Sequence, residues 1–142
     1  MRYVLILLAA LGIVVSALAL REHYRTEGDA PCSINERWDC GIVNKSPYAV
    51  VKGTGIPVAV LGIVGYLLMG ALAWRRAYRF LLAAAVAGLA FSLYLAHIEA
   101  HVLGVWCIYC VISLADISLI TLLALGTTVA SLFRKSPAVL NP

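Results

Sequence analysis

Apolar residues are gathered into four long stretches along the chain. They cover residues 3–20, 56–74, 80–98 and about 105–133. Each is about 18 residues or longer, roughly the length that crosses a hydrocarbon core of about 30 Å as a helix. Lipid offers no partner for backbone amides, and the stretches lack the alternation of a barrel strand, so helices are favoured. The pattern predicts four transmembrane helices.

The first two stretches are separated by a long polar segment, residues 21–55. This segment is predicted to form a loop outside the bilayer. The expected fold is therefore an all-α membrane protein, with residues 1–142 in a single domain. It consists of a bundle of four transmembrane helices with one long non-cytoplasmic loop between the first and second helices.

Composition supports a location in the membrane. The chain of 142 residues is 63% hydrophobic and 13% charged, and its mean hydropathy is +0.94. In soluble domains about a quarter of the residues are charged. A signal peptide is an alternative reading of the first stretch, because the sequence Ala17-Leu18-Ala19 resembles a cleavage site. The apolar run exceeds the 7 to 15 residues typical of such peptides, which favours a retained helix.

Basic residues predict the orientation of the helices. Arg2 precedes the first helix, residues 75–79 form the short basic link "RRAYR", and Arg134 follows the fourth helix. Cytoplasmic flanks are enriched in such residues. The long loop instead balances five basic with five acidic residues. Both termini are therefore predicted to be cytoplasmic, and topology accounts for the net charge of +4 without a nucleic-acid partner.

This orientation places all four cysteines on the non-cytoplasmic side. Cys32 and Cys40 lie in the long loop, and Cys107 and Cys110 are expected in the first turns of the fourth helix. An even number of thiols in an oxidising compartment favours disulfides. Residues three apart on a helix are neighbours, and a helix N-terminus stabilises a thiolate. The sequence therefore predicts a reactive pair at the bilayer boundary.

The loop pair has a different expected character. Cys32 and Cys40 enclose a short polar segment with no obvious helix or strand to hold it still, so we expect a mobile pair. Together the two pairs suggest a relay between a soluble substrate and a lipid-soluble one. Two alternatives are a zinc site, disfavoured by the seven residues between Cys32 and Cys40, and two static disulfides. A disulfide within one helical turn would add little constraint to the helix.

Other polar residues near the apolar stretches have two readings each. Asp116 lies within the fourth stretch, where a carboxyl is a functional candidate by default, but it is as readily explained by a hydrogen bond to Ser113 or another helix. His97, Glu99 and His101 can relay protons or serve as plain interfacial residues, and the second reading is favoured. No metal site is predicted.

The cysteine motifs resemble those of the vitamin K epoxide reductase family, particularly its bacterial members. The resemblance rests on "CSINERWDC" with the following "GIVNKS", on "SPYAVVKGTGIPVAVLGIVGY", and on "SLYLAHIEAHVLGVWCIYCVIS". It covers nearly the whole chain and is weakest in the first helix. The family fold implies a helix bundle around a quinone, and a short interfacial helix over residues 41–53 that caps the site.

The resemblance also implies roles for individual residues. Cys110 would react with the quinone, Cys107 would exchange with Cys40, and the Cys32 and Cys40 pair would receive electrons from a thioredoxin-like protein. Ser46 matches the serine or threonine that the family places near the quinone, and Trp106 is a further candidate for the pocket. The implied enzyme is a quinone-dependent thiol-disulfide oxidoreductase that generates disulfides for protein folding.

The quinone implied by the resemblance is of the ubiquinone, menaquinone or vitamin K type. Only "RKSPAVLNP" follows the fourth apolar stretch, so a separate, DsbA-like periplasmic partner is expected. The expected location is the inner (cytoplasmic) membrane, with the cysteines on the periplasmic side.

An alternative function is vitamin K quinone or epoxide reduction of the vertebrate type. Vertebrate members carry an asparagine and a tyrosine at positions that align with Gly55 and Leu114, which disfavours epoxide reduction. More remote alternatives are a transporter subunit, which would leave the cysteine pairs unexplained, and a transmembrane electron conduit, which would need a cysteine or cofactor ligand on the cytoplasmic side.

Overall fold

The chain folds into α-helices connected by short turns and one long loop. A computed structural model describes residues 1–26 and 31–135, and it contains no strand within those residues. Its α-helices are α1 (Arg2–Tyr24), α2 (Cys40–Lys45), α3 (Val58–Trp74), α4 (Tyr78–Ile98) and α5 (Ile108–Lys135). The predicted loop over residues 21–55 includes residues 27–30, which lie outside the described residues, as does the tail 136–142.

Three of these helices are long and apolar enough to cross a membrane. Within the described part of the chain, they span Arg2–Tyr24, Tyr78–Leu103 and Ile108–Arg134. Helix α3 is also apolar but has 17 residues. The all-helical fold is thus confirmed, and the count of four membrane crossings stays a prediction. Large apolar side chains such as Leu7 and Phe133 point outward and are 70% and 74% exposed, as expected of a lipid-facing surface.

The helix ends divide the molecule into two poles. The first residues of α1 lie near the turn between α3 and α4, where the Arg2 guanidinium stacks over the Trp74 ring at 5.3 Å. Because the chain runs up and down, the end of α1, the start of α3, the end of α4 and the start of α5 meet at the opposite pole. All four cysteines lie at that pole, which we call the cysteine pole.

Small residues allow the helices to pack closely between the poles. Ala73, Ala85 and Ala124 have no exposed surface and lie in a core with Leu5, Tyr66 and Ile117. Close backbone approach through small residues is the usual way in which membrane helices associate. Gly12 of α1 lies directly against the ring of Tyr66 in α3, so that a methyl group at residue 12 would overlap the ring. The bundle core thus joins α1, α3, α4 and α5.

The helix within the long loop is shorter than the resemblance implies. It covers Cys40–Lys45 and is followed by a 3-10 turn at Pro47–Ala49. A tight turn then follows, in which the Val51 amide donates to the Ile56 carbonyl at 2.8 Å. Gly53 and Gly55 adopt left-handed φ angles of 85° and 70°, which glycine adopts without steric cost. The expected helix over residues 41–53 therefore ends near its middle.

Helix α5 begins later than predicted, at Ile108 rather than about residue 105. Trp106, two residues before the helix, forms backbone hydrogen bonds with the long loop and not with α5. Its amide donates to the Arg37 carbonyl at 2.7 Å, and its carbonyl accepts from the Asp39 amide at 3.0 Å. Cys107 therefore immediately precedes the helix, and only Cys110 lies within its first turn.

Candidate functional site

The backbone bridge at Trp106 determines where the two cysteine pairs lie. The bridge holds Arg37 and Asp39 against Trp106. It therefore brings the residue that follows Asp39 close to the residue that follows Trp106. These residues are Cys40 and Cys107, and neither has any exposed surface. Both belong to one buried cluster with Cys32, Val43 and Val105. The two pairs, distant in sequence, thus meet at the cysteine pole.

Cys40 is held by a short but well-capped helix. It is the first residue of α2, and Asp39 is the N-cap. The Asp39 carboxylate accepts from the Ile42 amide at 3.1 Å and from the Ser33 hydroxyl at 2.9 Å, so it also connects the two ends of the cysteine loop. N-caps of this kind stabilise a helix by about 1 kcal/mol. The expectation that no helix or strand would hold the pair was therefore wrong for Cys40, whereas the mobility of the pair stays a prediction.

Cys32 and Cys40 form a disulfide, whereas Cys107 and Cys110 are free thiols. In this state the two loop sulfurs are bonded to each other instead of being available as zinc ligands. Cys40 is fully buried, and Cys32 is 7% exposed. A thiolate that attacks the disulfide from outside the protein therefore reaches Cys32 more easily, and attack there would release Cys40 next to Cys107.

The Cys107 sulfur lies in surroundings that favour its thiolate. Hydrogen bonding from the Cys110 thiol lowers the pKa of Cys107, and the Cys110 backbone amide and the Asn44 side chain contribute, although burial and the charge of Glu99 oppose the shift. The Val111 amide donates to the Cys107 carbonyl at 3.0 Å, so Cys107 stands at the start of α5, where the helix dipole also favours an anion. Cys107 is therefore suited to attack or leave as a thiolate.

Asn44 is a buried site residue that the sequence analysis did not identify. Its side-chain amide donates to the Cys40 carbonyl at 2.8 Å and to the Cys107 sulfur at 3.4 Å. Its backbone carbonyl is hydrogen-bonded to the Nδ1 of His23 at the end of α1. The spacing of four residues from Cys40 predicts the first contact once α2 is known, but nothing in the sequence indicates the contact with Cys107.

Glu99 also belongs to the site, whereas its two histidine neighbours do not. The Glu99 side chain is 3% exposed, and its Oε2 accepts from the Cys107 backbone amide at 3.0 Å. His97 and His101 are exposed and lie against each other, with ring centroids 4.6 Å apart. Grouping these three residues as interfacial was therefore wrong for Glu99.

A cavity of about 370 Å³ extends from the cysteine pole into the bundle. Its walls are mainly apolar, from residues such as Val15, Leu61, Met69, Phe91 and Leu95, and its polar lining includes Asn44, Ser46, Tyr66, Glu99, Cys110 and Ser113. This volume and this lining are typical of a small-molecule site. The predicted site residues Ser46 and Cys110 both line the cavity, whereas Trp106 and Cys107 do not.

Tyr66 connects α3 to α5 inside this cavity. Its hydroxyl bonds the backbone carbonyl of Ser113 at 3.0 Å and the Ser113 hydroxyl at 2.9 Å. Asp116 is 3% exposed, and its carboxyl group interacts with the Tyr66 hydroxyl of the neighbouring helix α3. The suggested bond between Asp116 and Ser113 is therefore absent here, since the Ser113 hydroxyl instead pairs with Tyr66.

The model of one protein family matches residues 3–128, which is most of the chain. The description of that family is the vitamin K epoxide reductase family. The chain belongs to this family. The resemblance inferred from the cysteine motifs is thus confirmed. No individual curated protein matches the chain.

Membership in the vitamin K epoxide reductase family agrees with the geometry of the site. The family is membrane-bound and implies an oxidoreductase, and the structure contains long apolar helices, one disulfide and one free thiol pair at the same pole. The protein is therefore a membrane redox protein of this family.

Proposed function

We propose that the protein is a quinone-dependent thiol-disulfide oxidoreductase. It takes electrons from a separate thioredoxin-like protein, passes them through Cys32 and Cys40 to Cys107 and Cys110, and delivers them to a quinone. The partner leaves with a disulfide, which it can introduce into other proteins. The observation that carries this proposal is the burial of Cys40 and Cys107 in one cluster.

The proposed order of exchange follows from the accessibility of the sulfurs. Thiol-disulfide exchange proceeds by attack of a thiolate through a mixed disulfide. The partner attacks Cys32, the more exposed sulfur of the loop disulfide, and Cys40 is released as the leaving thiolate. Cys40 then attacks a disulfide between Cys107 and Cys110. The attack is proposed at Cys107 because Cys40 and Cys107 are buried in one cluster and the Asn44 amide bonds both the Cys40 carbonyl and the Cys107 sulfur. The bond from Cys107 to Cys110 then breaks, and Cys110, which lines the cavity, is the leaving thiolate.

The cavity fits the head group of a quinone. Quinones combine a flat apolar ring with two carbonyl oxygens, and the cavity combines apolar walls with hydroxyl donors at Ser46, Tyr66 and Ser113. Cys110 is the thiol that lines it. When bound, a quinone supplies a two-electron acceptor, and about 30 mV corresponds to about 1.4 kcal/mol for such a couple. A potential difference of a few hundred millivolts therefore drives oxidation of the partner.

The proposed setting is the inner membrane, with both termini in the cytoplasm. The cysteine pole then faces the periplasm, where disulfides persist. The basic residues Arg75, Arg76 and Arg79 lie at the opposite pole, in agreement with the preference of such residues for the cytoplasmic side. Residues 1–142 are proposed to act as one membrane domain.

Quinone reduction by the purified protein tests the proposed function. The wild type is supplied with a reduced thioredoxin-like protein and a soluble ubiquinone or menaquinone analogue, and quinol formation is followed by absorbance. We expect turnover in the wild type and no turnover in Cys110→Ala. Ser118→Ala is a matched control on α5, since the Ser118 hydroxyl bonds only the Leu114 carbonyl and lies outside the cavity. Equal rates in wild type and Cys110→Ala would contradict the proposal.

Trapping of the partner tests the protein side of the relay. In the variant Cys40→Ala, Cys32 has no resolving thiol, and we expect a stable mixed disulfide between Cys32 and the oxidised thioredoxin-like protein. In Cys32→Ala the same adduct is expected to be scarce. Absence of a mixed disulfide from both variants would contradict the relay, even if quinone is reduced by chemical thiols.

A further inference from the structure

Glu99 is placed by an irregular turn at the end of α4. Residues Glu99–Leu103 form a π-helical turn, and Gly104 closes it with a left-handed φ of 70°. The Gly104 amide donates to the Glu99 carbonyl at 2.9 Å. Single π-turns re-aim side chains and are frequent at functional sites. Here the turn directs the Glu99 carboxyl group inward, whereas the nearby side chains of His97 and His101 remain exposed.

The surroundings of Glu99 are unusual for a carboxylate. The side chain is 3% exposed, and it has no Lys or Arg partner within the described residues. Its contacts are instead the Cys107 amide at 3.0 Å and the neighbouring Cys110 thiol. Burial of a carboxyl without a cation is costly, and the group here reaches both members of the thiol pair as well as the cavity. The bond from the Cys107 amide holds the carboxyl group beside the thiol pair.

The proposed reaction requires a proton acceptor at this place. This step rests on the proposed function. Oxidation of the Cys107 and Cys110 dithiol forms one sulfur-sulfur bond and releases two electrons and two protons. A quinone that becomes a quinol takes up the same two electrons and two protons, so the balance closes without another reactant. The protons must nevertheless leave the sulfurs. Because the cavity walls are mainly apolar, few groups in the cavity can accept a proton.

We propose that Glu99 is the residue that accepts the Cys110 proton and returns it to the reduced quinone. Other titratable groups that line the same cavity are His23 of α1, Tyr48 of the 3-10 turn, Tyr66 of α3 and Tyr109 of α5. The Nδ1 of His23 is engaged with the Asn44 carbonyl, and the Tyr66 hydroxyl is engaged with Ser113. Glu99 is the carboxyl group among the residues that line the cavity, and it contacts both cysteines.

The variant Glu99→Gln tests this role. Glutamine keeps an oxygen that can accept from the Cys107 amide, so the turn is expected to persist, but it cannot take up a proton. The protein is first reduced with dithiothreitol, and a single turnover with a quinone analogue is followed over a range of pH. We expect the variant to react about 100-fold more slowly at neutral pH, in line with general acid-base catalysis. We also expect its rate to rise with pH as hydroxide replaces the missing base.

The matched control is Glu22→Gln, another buried carboxyl at the cysteine pole. Glu22 is 2% exposed, pairs with Arg25 at 3.4 Å and does not line the cavity, so its variant is expected to keep the wild-type pH profile. Glu99→Asp restores a carboxyl with a shorter reach and is expected to recover part of the rate. A Glu99→Gln variant with the wild-type rate and pH profile would overturn the proposal.

A second measurement separates proton transfer from damage to the thiol pair. Alkylation by iodoacetamide needs a thiolate but delivers no proton to a quinone. In a Cys32→Ser and Cys40→Ser background, we therefore expect Glu99→Gln to be alkylated at least as fast as the parent, because the Glu99 charge raises the pKa of Cys107, while quinone reduction falls. A parallel loss of both rates would indicate a structural role and overturn the proposal. Failure of the wild type itself to reduce quinone would instead contradict the proposed function.

Discussion

The side-chain amide of Asn44 lies 3.4 Å from the Cys107 sulfur and donates a hydrogen bond to it. The same amide group bonds the Cys40 carbonyl at 2.8 Å. Asn44 therefore joins the helix of the loop cysteine to the sulfur of the other pair, and it contributes to the lowered pKa of Cys107.

The variant Asn44→Ala is expected to raise the pKa of Cys107. A thiol with a lowered pKa loses its proton at a lower pH than an ordinary cysteine, because a donor stabilises the thiolate more than the thiol. Without the Asn44 donor, the first thiolate should form at higher pH. Ultraviolet absorbance of the thiolate, titrated in a Cys32→Ser and Cys40→Ser background, measures this. Thr54→Ala, in an exposed turn, is the control, and identical titrations for all three proteins would refute the contribution of Asn44.

Removal of Cys32 is expected to produce a new disulfide within the protein. In Cys32→Ala the Cys40 thiol is free, and the Asn44 amide bonds both the Cys40 carbonyl and the Cys107 sulfur, so mild oxidation should join Cys40 to Cys107. Mass spectrometry of peptides under non-reducing conditions identifies the bond. The matched variant Cys40→Ala leaves Cys32 free, and we expect little bonding of Cys32 to Cys107. Preferential pairing of Cys32 with Cys107 would contradict the predicted order of exchange.

Tyr66→Phe is expected to lower the stability of the helix bundle. The variant loses the bonds to the Ser113 carbonyl and hydroxyl at 3.0 and 2.9 Å. Hydrogen bonds between membrane helices contribute about 0.6 kcal/mol on average, so the free energy of unfolding should fall by about that amount. Unfolding in mixed micelles measures it. Tyr94→Phe is the control because Tyr94 is 57% exposed, and an equal loss in both variants would show that the Ser113 bonds contribute nothing.

Two glycine substitutions are expected to have opposite effects. A methyl group at Gly12 would overlap the Tyr66 ring, whereas one at Gly126 meets no atom within 4 Å. Alanine favours a helix by about 1 kcal/mol over glycine, so Gly126→Ala should be neutral or stabilising. Gly12→Ala should lower the free energy of unfolding, because α1 and α3 must separate. Denaturation in mixed micelles compares the two, and similar stabilities would contradict the close packing at Gly12.

The sequence by itself determined the helices and the grouping of the cysteines into two pairs. Continuous apolar runs specify helices in lipid because backbone amides have no other partner there, and the structure places α1, α3, α4 and α5 within a few residues of the predicted bounds. The spacing of Cys107 and Cys110, with the pair at residues 32 and 40, was enough to indicate the family. These are local features, and each depends on residues that are close along the chain.

Only the tertiary structure decided which groups surround the sulfurs. Asn44 and Glu99 look like ordinary polar residues in sequence, and they reach Cys107 only because the Trp106 bridge and the π-turn bring separate segments together. Trp106 was expected to line the pocket from its sequence position. Its backbone instead organises the site, and its side chain is not part of the cavity lining. Contacts between distant segments depend on the packing of the whole bundle, and a hydrophobic pattern specifies which faces are apolar but not which polar groups meet between them.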